Sequence, residues 1–332
     1  MPRQFASALF FRRVLEDFHS ICLGFLVSLA FFLIPPILSG FLHPLSQANF
    51  FVPRLEIGRH ALNFDLQPAK IDWYLPLYRL LKESFEGCRG FLRRAAMQKL
   101  MGYMRKAITE YNMLEDGDKV AVGVSGGKDS VALLTALARM RSYLGIDYSL
   151  VAITLDPQFG GMPGDFSAIE ELCARLEVPY ILKRTEIGQV IFDIRDESNP
   201  CSLCARMRRG CLHDTAKAAG CNKIALGHHY DDAVETFVMN LFNEGRIGCF
   251  SPVTYLSRKD LTMIRPMVFA PENDIRKAVK HENLPVVKSS CPVDGVTTRQ
   301  WTKDWLRTMD KEHKGLKQRL FGAMKRAHVS EW

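Results

Sequence analysis

Three groups of residues have the types and spacing of reactive chemistry. Ser125-Gly126-Gly127-Lys128-Asp129-Ser130 joins two adjacent glycines, a cation, a carboxylate and two hydroxyls. Between a strand and a helix such a run is an anion site: bare backbone N–H groups approach a phosphate, and the helix dipole favours its charge. A plain strand-to-helix turn would need the glycines but not Lys128, Asp129, Ser125 and Ser130. It is not a Walker A loop, because G-x-x-x-x-G-K-[ST] asks for Gly at 122 and Ser or Thr at 129, where the chain has Val122 and Asp129. The second group is Cys201 and Cys204, a C-x-x-C pair that can chelate a metal, exchange disulfides or simply pack. Structural zinc asks for four ligands, and no second C-x-x-C, C-x-x-H or H-x-x-x-H exists. In the third, Gly227 to Thr236, His228 and His229 precede Asp231 and Asp232. Two carboxylates beside a triphosphate suit Mg²⁺, although either would also cap a helix. Asp231 is the better cap on this reading, and Asp232 is assigned to metal or proton work.

These groups need a frame that brings them to one edge. Residues 97–112 put Leu100, Met104, Ile108 and Tyr111 on one helical face. Lys119 to Val124 is a β-branched run suited to a strand buried on both faces, and helix follows from Val131 to Met140. Strands at 148–155, 179–183 and 223–226 alternate with helices at 169–176, 203–219 and 231–242, and a fifth strand is predicted at 262–265. That alternation implies right-handed crossovers and a parallel sheet, with Ser125 to Ser130 and Gly227 to Thr236 both at its C-terminal edge. Trp301 and Trp305, four apart on a helix, are read as core residues. Cys22, Cys88, Cys173, Cys221 and Cys249 are read as small packing residues.

The 332-residue chain has globular proportions, with 47% hydrophobic and 24% charged residues, which excludes disordered, collagen-like and mucin-like classes. Nine scattered cysteines do not form a disulfide framework, and a reducing, cytoplasmic compartment is expected. Net charge is +8, and residues 251–332 hold 16 basic against 9 acidic side chains. Together with Arg206, Arg208 and Arg209, the cations Arg299, Lys303, Arg307, Lys311, Lys314, Lys317, Arg319, Lys325 and Arg326 predict a polyanionic partner, RNA above all. From Phe18 to Pro53 there is no Asp, Glu, Lys or Arg. Three readings compete for that segment: a membrane anchor or peripheral hairpin, a buried apolar helix, and a mis-assigned start upstream of the native frame. The organisation expected is an extension over 1–95, a catalytic domain over 96–270 and a basic helical segment over 271–332.

In its motifs the chain resembles the N-type ATP pyrophosphatases, whose PP-loop is an SGGKDS-type run after a first strand. Within them it is most similar to the tRNA 2-thiocytidine synthetases, through Pro200 to Gly210 (PCSLCARMRRG), Leu226 to Thr236 (LGHHYDDAVET) and Ser289 to Pro292 (SSCP). The resemblance covers about residues 97–328. It implies an α/β, Rossmann-like (adenine nucleotide alpha-hydrolase-like) sheet with helices on both faces and helical N- and C-terminal extensions. It further implies ATP at Ser125, Gly126, Gly127, Lys128, Asp129, Ser130, Asp156 and Gly227, with catalytic work by Lys128, Asp129 and Asp232 and with Mg²⁺ on Asp129 or Asp232. By matched position, Cys201, Cys204 and Cys291 would hold a 4Fe-4S cluster with one open iron. The family's second C-x-x-C is reduced here to Cys291. The implied activity is ATP-dependent thiolation of a tRNA base, with a cysteine desulfurase persulfide as a sulfur donor and a homodimer as the candidate assembly. Rival readings are a lysidine-type ligase using an amine, and an ATP-binding regulator without turnover.

Overall fold

The computed structural model describes residues 95–194, 200–288, 291 and 298–332. The segment 18–53 and the expected 1–95 extension therefore lie outside the described residues, save for residue 95. Among the described residues no helix is long and apolar enough to cross a membrane.

Helix α1 spans 95–110. Met97, Leu100, Met104 and Ile108 recur at its helical period and are buried in the main core. Tyr111 falls in the turn beyond the helix, where its ring lies 5.8 Å from Phe269. Strand β1 (Asp118–Gly123) leads through the glycine-rich loop into α2 (Lys128–Met140), followed by β2 (Tyr148–Asp156), α3 (Ser167–Arg175) and β3 (Tyr180–Arg184). After a helical turn come α4 (Pro200–Ala218), β4 (Lys223–Ala225), α5 (Tyr230–Asn243), β5 (Val253–Leu256) and β6 (Leu261–Ile264). The chain closes with α6 (Glu272–Glu282), α7 (Thr298–Glu312) and α8 (Leu316–Arg326).

The six strands run in the order β3-β2-β1-β4-β6-β5. Neighbours from β3 to β6 are parallel, and β1 sits centrally with Val120 opposite Leu150 on one side and Lys223 on the other. Period-2 alternation distributes β1 between two layers. Val120 and Val122 join the core under α1, α2, α3 and α6, whereas Ala121 joins Leu212 and Ala216 of α4 on the opposite face. Helices therefore cover both faces, as expected.

Two expectations need correction. The predicted fifth strand is β6, and a further strand, β5, pairs antiparallel with it, so the sheet has one antiparallel edge. The short, half-buried run Val253–Leu256 carries neither the length nor the apolar density of a central strand, which hid it from periodicity. Helix α4 starts at Pro200, not Leu203, so Cys201 and Cys204 sit in its first turns rather than in a preceding loop. Proline at the first helical position costs no hydrogen bond, because that N–H has no intrahelical acceptor.

At the N-terminal edge of the sheet, away from the loops, Lys223 Nζ lies 2.8 Å from Asp118 Oδ2 with both side chains buried. Asp118 also accepts from Asn222 Nδ2 at 2.7 Å. Asp118→Ala leaves a buried ammonium unpaired and is expected to destabilise the fold by about 3–5 kcal/mol. Urea denaturation checks this, and an unchanged midpoint would show that water reaches Lys223.

Candidate active site

The glycine-rich loop is ordered by its own hydroxyls. Ser130 Oγ accepts from the Ser125 N–H at 3.1 Å and donates to the Gly127 carbonyl at 2.9 Å, while Ser125 Oγ accepts from the Gly127 N–H at 3.4 Å. No side chain caps the N-terminus of α2, so its first N–H groups remain for an anion. Gly126 has φ +82°, and a Cβ there would lie 2.9 Å from Val287 Cβ. The Val287 N–H donates to the Gly126 carbonyl at 3.0 Å, which returns the segment after Pro285 to the loop. Gly227 lets the β4–α5 connection approach equally closely, since a Cβ there would meet the Asp129 carbonyl carbon and the Ser130 nitrogen at 3.2 Å. Gly126→Ala combines a left-handed φ with a clash and is expected to weaken ATP binding by about 1–3 kcal/mol. Titration calorimetry reads it, with circular dichroism reporting an intact fold.

Lys128 Nζ is 2.9 Å from Asp129 Oδ2 and 3.0 Å from Glu272 Oε1. Burial works against its charge, but the two carboxylates more than offset this and raise its pKa. Asp129 Oδ1 is buried with no hydrogen-bond partner among the described residues. A buried carboxylate oxygen left over beside a phosphate loop fits a Mg²⁺ ligand, so Asp129 suits the divalent ion. Asp156 ends β2 at the same edge, buried, with Oδ1 accepting from Gln158 N–H and Oδ2 from Gly164 N–H. Its carboxylate thus shapes the 157–164 loop.

The paired acids divide their work differently from the sequence expectation. The cap of α5 is His229, whose Nδ1 accepts from the Asp232 N–H at 3.3 Å while Asp232 Oδ2 accepts from the His229 N–H at 2.9 Å. Asp231 is not the cap: its Oδ2 accepts from the Glu272 N–H at 2.8 Å and its Oδ1 pairs with Lys317 Nζ at 2.8 Å, joining α5 to α6 and α8. A histidine nitrogen in the acceptor state substitutes for the usual oxygen, so capping preference pointed one residue too far. With Nδ1 accepting, the His229 proton sits on Nε2, which faces Asp129 Oδ1 at 3.8 Å. Burial drives the His228 pKa down to about 4, and its ring packs 5.0 Å from Phe250. Asp232 stays at the site, with Oδ1 3.6 Å from Arg299 Nη1.

Glu235 and Glu272 escaped the sequence reading. Glu235 is one turn beyond Asp232 on the same face of α5, a signal present in the spacing. Burial raises its pKa to about 7, and its Oε1 has no hydrogen-bond partner among the described residues. Glu272, 46 residues beyond the nearest motif, offered no local signal. Its pKa falls well below the carboxylate range because Lys303 and Lys128 outweigh its burial.

Cys201 is exposed, Cys204 buried and Cys291 half-buried. Burial raises the Cys204 pKa; the Arg208 guanidinium opposes this, and the thiols of Cys291 and Cys201 add to it. Cys291 is thereby placed within electrostatic reach of the pair although it is 87 residues from Cys204. Among the described residues no three His, Cys, Asp or Glu side chains are set to hold a metal ion. A cubane spreads its thiolates around a body larger than one ion, and three soft sulfur donors from α4 and the 285–291 segment fit that donor set. Cys173, Cys221 and Cys249 are packing residues as expected, the Cys249 thiol donating to the Ala233 carbonyl.

A family model of the PP-loop domain matches residues 95–307. The chain belongs to the PP-loop family. Among the relatives of this PP-loop protein is the tRNA-cytidine(32) 2-sulfurtransferase of Citrifermentans bemidjiense, 36% identical over 237 residues, which make up 70% of this chain and 92% of that protein. A protein of the same name from Neisseria meningitidis is 36% identical over 220 residues, 66% of this chain and 68% of its own. Among solved structures, the U34-tRNA thiolase NcsA from Methanococcus maripaludis, with its 4Fe-4S cluster, matches with a TM-score of 0.60 at 24% identity, covering 71% of this chain and 79% of that one. That last likeness is one of fold.

The basic residues of the PP-loop protein fall into two sets. Arg206, Arg208 and Arg209 are exposed on α4 beside the cysteines. Several C-terminal cations instead turn inward: Lys303 to Glu272, Lys317 to Asp231, Lys325 to Glu110. Trp305 packs against Phe242 at 5.1 Å, but Trp301 is 55% exposed, correcting its assignment to the core. Helix α7 meets α5 along one face, and Trp301 falls outside it.

Proposed function

We propose that this PP-loop protein is an ATP-dependent tRNA sulfurtransferase of the 2-thiocytidine type. The observation that carries the reading is the convergence, at one sheet edge, of a glycine-rich anion loop and three thiols drawn from two distant segments. ATP lies along Ser125 to Ser130 and Gly227, with its base or ribose toward the loop that Asp156 shapes. The base carbonyl oxygen attacks the α-phosphorus, the bond to the bridging oxygen breaks, and pyrophosphate leaves. Lys128 and the loop amides stabilise the charge that develops on the phosphates. Mg²⁺ on Asp129 and Asp232 adds counter-charge to the leaving pyrophosphate. Sulfur then attacks the activated carbon, the carbon–oxygen bond breaks, and AMP departs with the original oxygen.

Cys201, Cys204 and Cys291 hold the 4Fe-4S cluster, which supplies an open iron for the sulfide. Arg208 beside Cys204 favours the thiolate form that ligation needs. Arg206, Arg208 and Arg209 contact the tRNA backbone, and Trp301 offers a stacking face. A cysteine desulfurase persulfide as donor, a homodimeric assembly and a cytoplasmic location complete the reading, with the catalytic unit over 96–270 and the 271–332 segment completing the cluster site.

The test is mass spectrometry of tRNA nucleosides from a strain lacking the gene. One 2-thiolated pyrimidine is expected to vanish and to return when the gene is restored. An unchanged nucleoside profile would overturn the reading, and loss of an amine-modified nucleoside would replace it with the lysidine-type one.

A further inference from the structure

The carboxylate of Glu272 lies between two ammonium groups. Lys128 Nζ is 3.0 Å from Oε1 and Lys303 Nζ is 2.8 Å from Oε2, with Arg276 Nη2 also 3.0 Å from Oε1. Glu272 itself is fixed in the first turn of α6 through its N–H to Asp231. Two lysines held against a pair of anionic oxygens form the environment a phosphate would meet, and a triphosphate brings more charge than the carboxylate it would replace. Side-chain exposures of 28% for Lys128 and 23% for Lys303 leave both within reach of a ligand. One turn earlier on α7, Arg299 is held loosely, its Nη1 3.6 Å from Asp232 Oδ1 and 3.7 Å from Glu235 Oε2, both beyond hydrogen-bond range. Helix α7 therefore turns a cationic face toward the PP-loop.

We propose that Lys303 is a second lysine of the ATP site, binding the β- and γ-phosphates together with Lys128, and that Glu272 holds their place until the nucleotide displaces it. The inference rests on the ATP-binding reading above. An ion pair that merely tied α7 to α6 would make the same contacts. What separates the two is sign: Glu272 competes with phosphate in the first case and is only a partner in the second.

Titration calorimetry of the full chain with Mg·ATP and with AMP decides between them. Lys303→Met is expected to weaken ATP binding about 10- to 100-fold and to leave AMP binding unchanged, since AMP lacks the β- and γ-phosphates. Lys303→Arg should recover most of the loss, and Glu272→Gln should tighten ATP binding. Unchanged ATP affinity in Lys303→Met, equal losses for ATP and AMP, or weaker ATP binding in Glu272→Gln would each overturn the proposal. Should Lys303→Met fail to fold, the sign of the Glu272→Gln effect carries the test. Failure of the wild-type chain to bind ATP would overturn the sulfurtransferase reading first, and this inference with it.

Discussion

Lys128→Ala is expected to reduce pyrophosphate release by about 10²–10³-fold, the usual cost of removing one preorganised electrostatic group, while iron and acid-labile sulfide per chain stay at the wild-type level. Lys128 stands at the first position of α2, and its pKa lies above the ordinary lysine value because Asp129 and Glu272 face it. It is therefore fully charged through neutral pH, which is what charge building on a leaving pyrophosphate requires. Asp129→Ala should fail in the same assay, since its buried, unpartnered Oδ1 is the oxygen best placed for Mg²⁺. Neither side chain contacts the cysteines, so the two functions should separate. Equal loss of iron in these variants would show that the nucleotide and sulfur sites are one structural unit.

Cys201→Ser, Cys204→Ser and Cys291→Ser should each lose the visible absorbance of the cluster, its iron and all tRNA thiolation. Cys211→Ser and Cys249→Ser should keep all three. Serine preserves size but replaces a soft sulfur ligand with a hard oxygen, which iron in a sulfide cluster binds poorly. Cys249 is committed elsewhere: burial pushes its thiol up to about 12, and it donates to the Ala233 carbonyl. Cys211 is nearly two turns further along α4 than Cys204 and lines a separate cavity with Ile181, Met207 and Asp214. Cys291→Ser is the sharpest member, because Cys291 reaches the pair only through tertiary structure. Measuring iron per chain in anaerobically prepared protein decides the assignment, and an intact cluster in Cys291→Ser, or its loss in Cys211→Ser, would overturn it.

Much of the frame could be read directly from residue order. Val120 to Val122 are apolar on both faces because a central parallel strand is covered on both, and the two glycines before Lys128 mark the turn that follows. Local patterns also placed Ser125 to Ser130 and Gly227 to Thr236 at one edge, since parallel strands send every strand-to-helix loop the same way. Strand β5 stayed hidden because an antiparallel edge strand of four half-buried residues has neither period nor apolar weight to distinguish it.

What the sequence by itself determined is therefore the chemistry that motifs can hold: a phosphate loop, a cysteine pair entering a helix, and carboxylates at a helix start. Only the tertiary structure decided which acid does what. Asp231 reaches Glu272 and Lys317, 41 and 86 residues away, so His229 is left to cap α5 with Asp232. It also decided that Lys303 faces the PP-loop through Glu272 rather than lying on an open basic surface. The reason is physical. Helix periodicity and capping depend on neighbours within about four residues, whereas the direction in which a charged side chain finds its partner depends on which helices pack together, and no local pattern encodes that.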